Sequence, residues 1–273
     1  MQELPPSAFE RVKPLFHHIR DMRAAVFTVL EGNQIGRVWV DQVANPRSAV
    51  MSSDFCYLTS TPDASDFQAD TAKWLGDEVL NRQEYTPLFY FSRPWEAALQ
   101  TILPAYGVQR YVLSKFDFDV QRYRELQTGW QKRVPTGFAL QRTNAQSALE
   151  VGGIPHIWGS VDNFLEHGFG FCMLDESQSD EHLAFAGSVQ TVFVGDCHAE
   201  TGVETREPYR RKGLATALCC AYIDLCLQSG IYPEWGCGVD NEPSERLAYK
   251  LGYTNKHETF FLYVHTPEHL LKK

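Results

Sequence analysis

Residues 199–227 carry the sequence AETGVETREPYRRKGLATALCCAYIDLCL, and this stretch decides the fold. Its beginning predicts a strand that ends near Thr205, and a basic loop, RRKG at 210–213, comes next. A long helix is predicted over 213–228, because apolar residues recur there at helical spacing and give it one face to bury. The stretch therefore predicts a strand–loop–helix unit with positive charge at the helix N-terminus.

The loop over 210–216 is a candidate anion site. Free backbone N–H groups and the helix dipole attract negative charge at a helix N-terminus, and Gly213 lets the backbone approach a ligand closely. We therefore predict a phosphate or pyrophosphate cradle, with a solvated basic patch as the alternative. The sequence contains neither G-x-x-x-x-G-K-[ST] nor a G-x-G-x-x-G after a strand, so a P-loop nucleotidase and a dinucleotide fold are not indicated.

The composition limits the class of protein. The chain has 273 residues, 44% of them hydrophobic, and its formal charge is 25 − 34 = −9. The length allows one large domain or two small ones. An acidic balance argues against general binding to nucleic acid or to an anionic membrane, which requires a basic surface. It is compatible with a cationic small molecule as partner.

The cysteines and the N-terminus indicate the compartment. The seven cysteines are irregularly spaced and include no C-x-x-C pair, so we expect reduced thiols and no metal site. The N-terminal residues lack a secretory signal, and no stretch reaches the ~18 consecutive apolar residues of a membrane-spanning helix. These features predict a cytoplasmic protein.

Two domains are predicted, an N-terminal α/β domain over 1–134 and a second domain over 135–273. Their boundary is placed beside the Pro–Gly stretch that follows Arg133. No internal repeat with a period of about 20–50 residues is evident. In the first domain, strands are predicted at 25–30, 36–40 and 109–119. The elements predicted around the loop are strands and helices in alternation: strand 198–205, helix 213–228, strand 234–239, helix 243–251 and strand 257–264.

The loop and the residues downstream of it resemble a known superfamily. Arg210-x-x-Gly213-x-Ala215 after a strand is similar to the coenzyme A pyrophosphate loop, [QR]-x-x-G-x-[GA], of the GNAT acetyltransferases. Asn241 after the next strand and Tyr249-x-x-Gly252-Tyr253 at the end of the next helix extend the likeness over about 136–264. A narrower resemblance, to the two-part GNAT acetyltransferases grouped with zwittermicin-resistance acetyltransferase, covers nearly the whole chain. It is carried by Leu30-Glu31-Gly32, Gly36 to Asp41, Asn45 to Ala49, Gly168 to Cys172, Tyr232-Pro233-x-Trp235 and Asn241-x-x-Ser244.

The resemblance implies a mixed α/β fold in which a C-terminal GNAT domain follows a smaller α/β domain, itself readable as a degenerate GNAT-like half without a coenzyme loop. It implies an acetyl-CoA-dependent N-acetyltransferase. The enzyme would acetylate a primary amine of a small molecule, such as an aminopolyol, amino acid or polyamine, by direct attack in a ternary complex. The alternative is a non-catalytic coenzyme A-binding sensor or interaction module. No metal is implied, and a homodimer is left open.

The resemblance also implies which residues hold acetyl-CoA. Backbone groups of the strand before the loop would pair with the pantetheine arm, and N–H groups of the loop would hold the pyrophosphate. The Asn after the following strand would contact the pantetheine. The residues expected to contact the coenzyme are Val203, Glu204, Thr205, Arg210, Arg211, Lys212, Gly213, Leu214, Ala215, Thr216, Asn241 and Ser244.

Three residues are the catalytic candidates. Tyr249 occupies the position from which many GNAT tyrosines protonate the departing thiolate; the alternative is a core-facing tyrosine. Glu200 and Glu204 lie four residues apart on one strand, so they share a face, and either could accept the proton of the amine. Glu204 is slightly preferred, and the alternative is that both are exposed and inactive. Ser244 could assist, although it or Asn241 could simply cap the helix.

Overall fold

The computed structural model describes residues 1–59, 65–82, 84–90, 94–179 and 181–271. The chain forms two units, each with its own hydrophobic core. Unit 1 consists of Met1–Asp21, Val29–Val112 and the C-terminal residues from Thr259 onward, whereas unit 2 consists of Met22–Thr28 and Leu113–Glu258. None of the described helices is both long and apolar enough to cross a membrane.

The N-terminal part of the chain supplies most of unit 1. Its strands are Gln2–Leu4 (β1), Arg37–Val40 (β2), Ala49–Ser52 (β3), Cys56–Thr59 (β4) and Tyr85–Tyr90 (β5). The helices in this part of the chain are Lys13–Phe16 (α1), Arg23–Leu30 (α2), Ser65–Trp74 (α3) and Pro94–Leu99 (α4). Of these, α2 belongs to unit 2 as far as Thr28.

The remaining strands and helices follow from residue 107 onward. The strands are Gly107–Phe118 (β6), Phe138–Arg142 (β7), Gly170–Asp175 (β8), Phe185–Gly195 (β9), His198–Thr205 (β10), Tyr232–Gly238 (β11) and Tyr253–His265 (β12). The helices are Val120–Gln127 (α5), Ala145–Glu150 (α6), Ile154–Ile157 (α7), Val161–His167 (α8), Glu181–Ala184 (α9), Leu214–Gln228 (α10) and Glu242–Lys250 (α11). The strands and helices predicted around the loop are thereby confirmed.

The two units share one order of strand directions. In unit 1, β1 to β4 pair antiparallel, β4 and β5 pair parallel, and β5 pairs antiparallel with the end of β12. In unit 2, β7 to β10 pair antiparallel, β10 and β11 pair parallel, and β11 pairs antiparallel with the end of β6. The fold is therefore a mixed α/β fold, as predicted, and unit 1 repeats the strand order of unit 2.

The parallel strand pair differs between the units. In unit 1, β4 and β5 stay paired through Tyr57 and Leu58, and the Tyr57 and Phe89 rings stack with centroids 5.3 Å apart. In unit 2, the pairing of β10 with β11 ends at Glu200 and Glu234, although both strands continue. Only unit 2 therefore has a gap between its two parallel strands among the residues described.

The strand predicted at 25–30 is wrong, because these residues belong to helix α2. The side chains from Ala24 to Leu30 are all buried, at 3% exposure or less. A helix that is buried on every side carries no alternation of polar and apolar residues, so a short apolar run cannot be told from a buried strand by its period. The prediction failed because burial removed the helical signal.

Helix α10 is the centre of the core of unit 2. Leu214, Leu218, Tyr222 and Ile223 are almost completely buried, and the Tyr222 ring stacks on Phe169 with centroids 5.1 Å apart. All seven cysteines are free of disulfides, and burial raises the pKa of the Cys226 thiol on this helix to about 12. Its apolar face thus fixes α10, and with it the loop at its N-terminus, against the sheet.

Residues 120–133 belong to unit 2, so the predicted boundary at 134/135 falls inside that unit. This segment is attached to unit 2 by a hydrogen-bonded network around Asp224 of α10. The Tyr123 hydroxyl donates to Asp224 Oδ1 at 2.6 Å, and Trp130 Nε1 donates to Asp224 Oδ2 at 2.8 Å. These bonds, together with the burial of both rings, attach the segment to α10.

We expect the substitution Tyr123→Phe to lower the free energy of unfolding by about 2 kcal/mol, because it removes a hydrogen bond to a carboxylate. Burial, and then the bond to Asp224, raise the pKa of the Tyr123 phenol above its usual 10.0. The wild-type advantage should therefore be complete below pH 10 and shrink above it, where the phenol of the unfolded chain ionises. Urea denaturation at pH 7 and at pH 10.5 measures both effects.

The matched control is Tyr111→Phe, at a tyrosine whose side chain is 42% exposed. Its stability should stay within about 0.5 kcal/mol of wild type, as is usual for surface substitutions. Equal losses in the two variants would show that the Asp224 network does not stabilise unit 2.

Candidate active site

The gap between β10 and β11 is a fork with a closed end and an open end. Its closed end lies at the last pair, Glu200 and Glu234, and beyond it β10 runs on to Thr205. The pairing of β10 with β9 is irregular between Ala199 and Thr201, at the same level. A bulge of this kind bends a strand and increases its twist, which explains why the two strands separate here. The β11-facing edge of β10 beyond Glu200 is left for an extended ligand to pair with.

The predicted loop lies at the N-terminus of α10. Gly213 precedes the helix with φ of 86°, and Arg211 also has a positive φ of 64°. The backbone N–H groups of Thr216 and Ala217 both donate to Gly213 O, so the N–H groups of the two preceding residues come before the first intrahelical bond. A Cβ built on Gly213 would meet nothing within 4 Å, so space beside the loop is open. This geometry fits an anion held by backbone N–H groups.

The basic side chains of the loop have different roles. Arg210 Nε donates to Thr205 O at 3.2 Å, and this bond links the loop to the end of β10. The Lys212 ammonium lies 5.1 Å from the Tyr209 ring centroid and 5.7 Å from that of Phe138. All three basic residues of the loop are exposed, so their positive charge surrounds the helix N-terminus in an otherwise acidic chain.

Asn241 and Ser244 lie at the start of α11. Asn241 caps the helix, since its Oδ1 accepts from the Ser244 N–H at 3.2 Å. The Ser244 hydroxyl in turn accepts from Trp235 Nε1 of β11, also at 3.2 Å. The capping role considered for Asn241 is confirmed, and the Ser244 hydroxyl is held against the strand that forms one arm of the fork.

Tyr249 lies near the end of α11. The alternative of a core-facing tyrosine is wrong, because its side chain is 37% exposed and Ala248 is the buried residue of this turn. The edge of its ring contacts Phe116 of β6, with centroids 5.5 Å apart. Strand β11 is an arm of the fork and lies between β6 and β10. Ser244 therefore contacts an arm of the fork, whereas Tyr249 contacts β6, which is one strand further away.

Glu200 forms an ion pair that the sequence analysis did not predict. Lys115 Nζ of β6 lies 3.5 Å from Glu200 Oε1, and the side chains are only 4% and 16% exposed. The lysine reaches Glu200 across β11 at Gly236, which has no side chain to block it. The signal that could have revealed Lys115 is a charged residue inside a predicted strand, directly before the apolar Phe116.

Glu204 has a different environment. It is exposed, and its Oε1 accepts from the Gly152 N–H at 3.4 Å and from the Ser188 hydroxyl at 3.5 Å. Gly152 follows helix α6, so this carboxylate contacts the loop between α6 and α7. Glu200 is therefore not exposed as the alternative supposed, because its side chain is 16% exposed and paired with Lys115, whereas Glu204 is exposed.

The fork has two chemically distinct faces. On one face, Trp235 packs against Tyr253 and bonds to Ser244, beneath α10 and α11. On the other face lie Glu200 and the lysine that crosses Gly236. Hydroxyl groups therefore approach the fork from the helix side, and charged groups approach it from the opposite side.

A cysteine, Cys237, lies on the β11 arm of the fork. Burial raises the pKa of the Cys237 thiol on β11, so this group stays protonated at neutral pH and is a poor nucleophile. Across the described part of the chain, no group of three or more His, Cys, Asp or Glu side chains could hold a metal ion. The predicted loop residues lie together at the helix N-terminus, and the carboxylates lie along β10.

Comparisons with known proteins agree with this geometry. The model of the GNAT acetyltransferase family matches residues 13–262. The chain is 25% identical over 260 residues to the "Uncharacterized N-acetyltransferase YdfB" of Bacillus subtilis (strain 168), covering 93% of this chain and 94% of the relative.

Solved structures share the fold. A GCN5-related N-acetyltransferase-like protein from Streptococcus suis is 21% identical, with a TM-score of 0.64 over 95% of this chain and 99% of its own. A tandem GNAT protein from the clavulanic acid biosynthesis pathway is 12% identical, with a TM-score of 0.65 over 96% and 97%. The family match spans both units, and the chain belongs to the GNAT acetyltransferase family.

Proposed function

We propose that this acetyltransferase moves the acetyl group of acetyl-CoA to a primary amine of a small molecule, by direct attack while both substrates are bound. The observation that supports this most is the fork itself. At its open end lies a loop with exposed basic residues at a helix N-terminus, and at its closed end lies a largely buried carboxylate. When bound, acetyl-CoA supplies the acetyl group and the thiol that leaves.

The residues of this chain fit the coenzyme along the length of the fork. The N–H groups around Gly213 to Thr216 would hold the pyrophosphate, and the edge of β10 from Thr201 to Thr205 would pair with the pantetheine arm. Five residues at about 3.3 Å each place the closed end ~16 Å from Thr205, so an extended arm would bring the thioester close to Glu200. A backbone N–H in this part of β10 would polarise the thioester carbonyl.

Glu200 is the better candidate for the base. Glu200 lies at the closed end of the fork, on the face opposite α10 and α11, where the thioester of an extended arm would end. Glu204 lies four residues nearer to the loop and bonds to Gly152 and Ser188. The Glu200 carboxylate would accept the proton that the amine loses, directly or through one water.

Ser244 is the better candidate for protonating the departing thiol. Its hydroxyl contacts Trp235 on an arm of the fork, whereas Tyr249 contacts Phe116 on β6. Both hydroxyls lie on the helix side, opposite the carboxylate. The enzyme would thus remove a proton on one face of the fork and return one on the other.

The acidic balance of the chain and the two carboxylates along β10 support a cationic acceptor, such as a polyamine, an amino acid or an aminopolyol. A panel of putrescine, spermidine, lysine and 2-amino-1,3-propanediol with acetyl-CoA tests this by the release of thiol. Tight coenzyme A binding without thiol release from any amine would favour the alternative of a coenzyme A sensor.

A substitution at Gly213 tests whether the loop holds the pyrophosphate. We expect Gly213→Glu to weaken coenzyme A binding by at least about tenfold, or ~1.4 kcal/mol, because it places bulk and negative charge beside the pyrophosphate. Isothermal titration calorimetry with coenzyme A measures the affinity.

Gly230→Glu is the matched control, since Gly230 lies just beyond the other end of α10, with a positive φ of 69° and open space around it. It carries the same charge change and a similar backbone strain, and it should keep the wild-type affinity. Equal affinities in both variants would rule out 210–216 as the coenzyme loop.

Substitutions of Ser244 and Tyr249 test which hydroxyl of α11 protonates the departing thiol. We expect Ser244→Ala to lower kcat by about 100-fold, as loss of a general acid does, while Tyr249→Phe lowers it less than about threefold. Initial rates of thiol release at saturating acetyl-CoA measure both values.

Ser244→Thr, which keeps a hydroxyl at this position, is the control and should retain most of the wild-type rate. If the ranking is reversed, with Tyr249→Phe the slower variant, the proton comes from Tyr249 as first predicted. If neither variant loses rate, no hydroxyl of α11 protonates the thiol.

A further inference from the structure

We propose that Lys115 is a positioning residue for acetyl transfer, which holds the Glu200 carboxylate in place at the closed end of the fork. This inference rests on the proposed function and adds to it a residue outside the strands that form the fork. Three observations support it: the ion pair of Lys115 with Glu200, the contact of the lysine with Gly236, and the position of Glu200 at the bulge of β10.

The burial of Lys115 needs a physical reason. Its side chain is 4% exposed, and a buried ammonium is costly unless an opposite charge lies close by. Glu200 Oε1 at 3.5 Å supplies that charge. A pair of this kind contributes little net stability, so the role that we assign to it is the orientation that it gives to the carboxylate.

Gly236 makes this orientation possible. It is paired with Lys115 across the antiparallel strands β6 and β11. A Cβ built on Gly236 would lie 2.9 Å from Lys115 Cδ and 3.0 Å from its Nζ. The lysine side chain therefore runs across the space that any other residue at 236 would fill, and reaches β10 on the far side of β11.

Only one oxygen of Glu200 faces the lysine. The other oxygen, Oε2, is buried and has no hydrogen-bond partner among the residues that the structure describes. Lys115 thus fixes the carboxylate through Oε1 and leaves Oε2 to meet the amine. In the reaction, the nitrogen lone pair of the amine attacks the thioester carbon and forms the N–C bond, and the N–H proton that the amine loses passes to Oε2. The C–S bond breaks, and the coenzyme A thiolate leaves with a proton from the Ser244 hydroxyl.

Charge removal and charge displacement test the role of the lysine separately. We expect Lys115→Met to lower kcat by about 10- to 100-fold, the range for impairment of a general base, with the KM for acetyl-CoA changed less than twofold. Gly236→Ala keeps both charges but pushes the ammonium aside, and it should lower kcat in the same direction. Lys115→Arg, which restores the positive charge, should recover a substantial part of the rate.

Non-additivity separates positioning from a general structural effect. The double variant Lys115→Met/Glu200→Gln should be no slower than the slower of its two single variants, because both changes disable the same group. The control is Gly107→Ala, a strand glycine of unit 1 whose Cβ would meet its nearest neighbours at an ordinary 3.4 Å. It should keep the wild-type kcat. All rates are taken as thiol release with the fastest amine of the panel.

Each outcome decides the inference. A wild-type kcat in Lys115→Met or Gly236→Ala, or single losses that multiply in the double variant, overturns the role of Lys115 and leaves the proposed function intact. A wild-type protein that releases no thiol with any amine of the panel overturns the proposed function, and this inference with it. If Lys115→Met does not fold, the kcat of Gly236→Ala still tests the role of Lys115, and it is compared with the kcat of Glu200→Gln.

Discussion

The separation of β10 from β11 is the constraint on which the site depends. Two parallel strands that are held together by hydrogen bonds leave no edge for a ligand, as β4 and β5 of unit 1 show. In unit 2 the bulge after Ala199 bends β10, and its backbone beyond Glu200 loses its neighbour on that side. The loop lies at one end of this opening and the ion pair at the other, so a ligand that fills the opening would reach both.

The fork also explains how one small site separates two proton transfers. The side chains of a strand alternate between the faces of a sheet, so Trp235 and Gly236 necessarily serve opposite faces. The first contributes an aromatic platform beneath α11, and the second contributes room for a lysine. Neighbouring residues of one strand thus provide an apolar side and a charged side within a few ångströms, without a metal group among the described residues.

Sequence reasoning located most of unit 2 because its signals are local. The basic loop, the periodic apolar face of α10, and Asn241 and Tyr249-x-x-Gly252-Tyr253 at the two ends of α11 each involve neighbours along the chain, and the structure has these elements where they were predicted. The reasoning failed at α2, where complete burial erased the helical period. It also missed Lys115, whose partner is 85 residues away, and the repeated strand order, which is expressed in pairing directions rather than in residue types.

The routes of β6 and β12 have a consequence for how this chain can be divided. Each of these strands begins among residues of one unit and ends among residues of the other. The last strand of the chain completes the unit that the N-terminus begins, while β6 completes the unit that follows it. Severing the polypeptide in the middle would therefore deprive each fragment of an edge strand. Each unit of this chain therefore depends on a strand that lies far away in the sequence, and neither unit is encoded by one continuous segment.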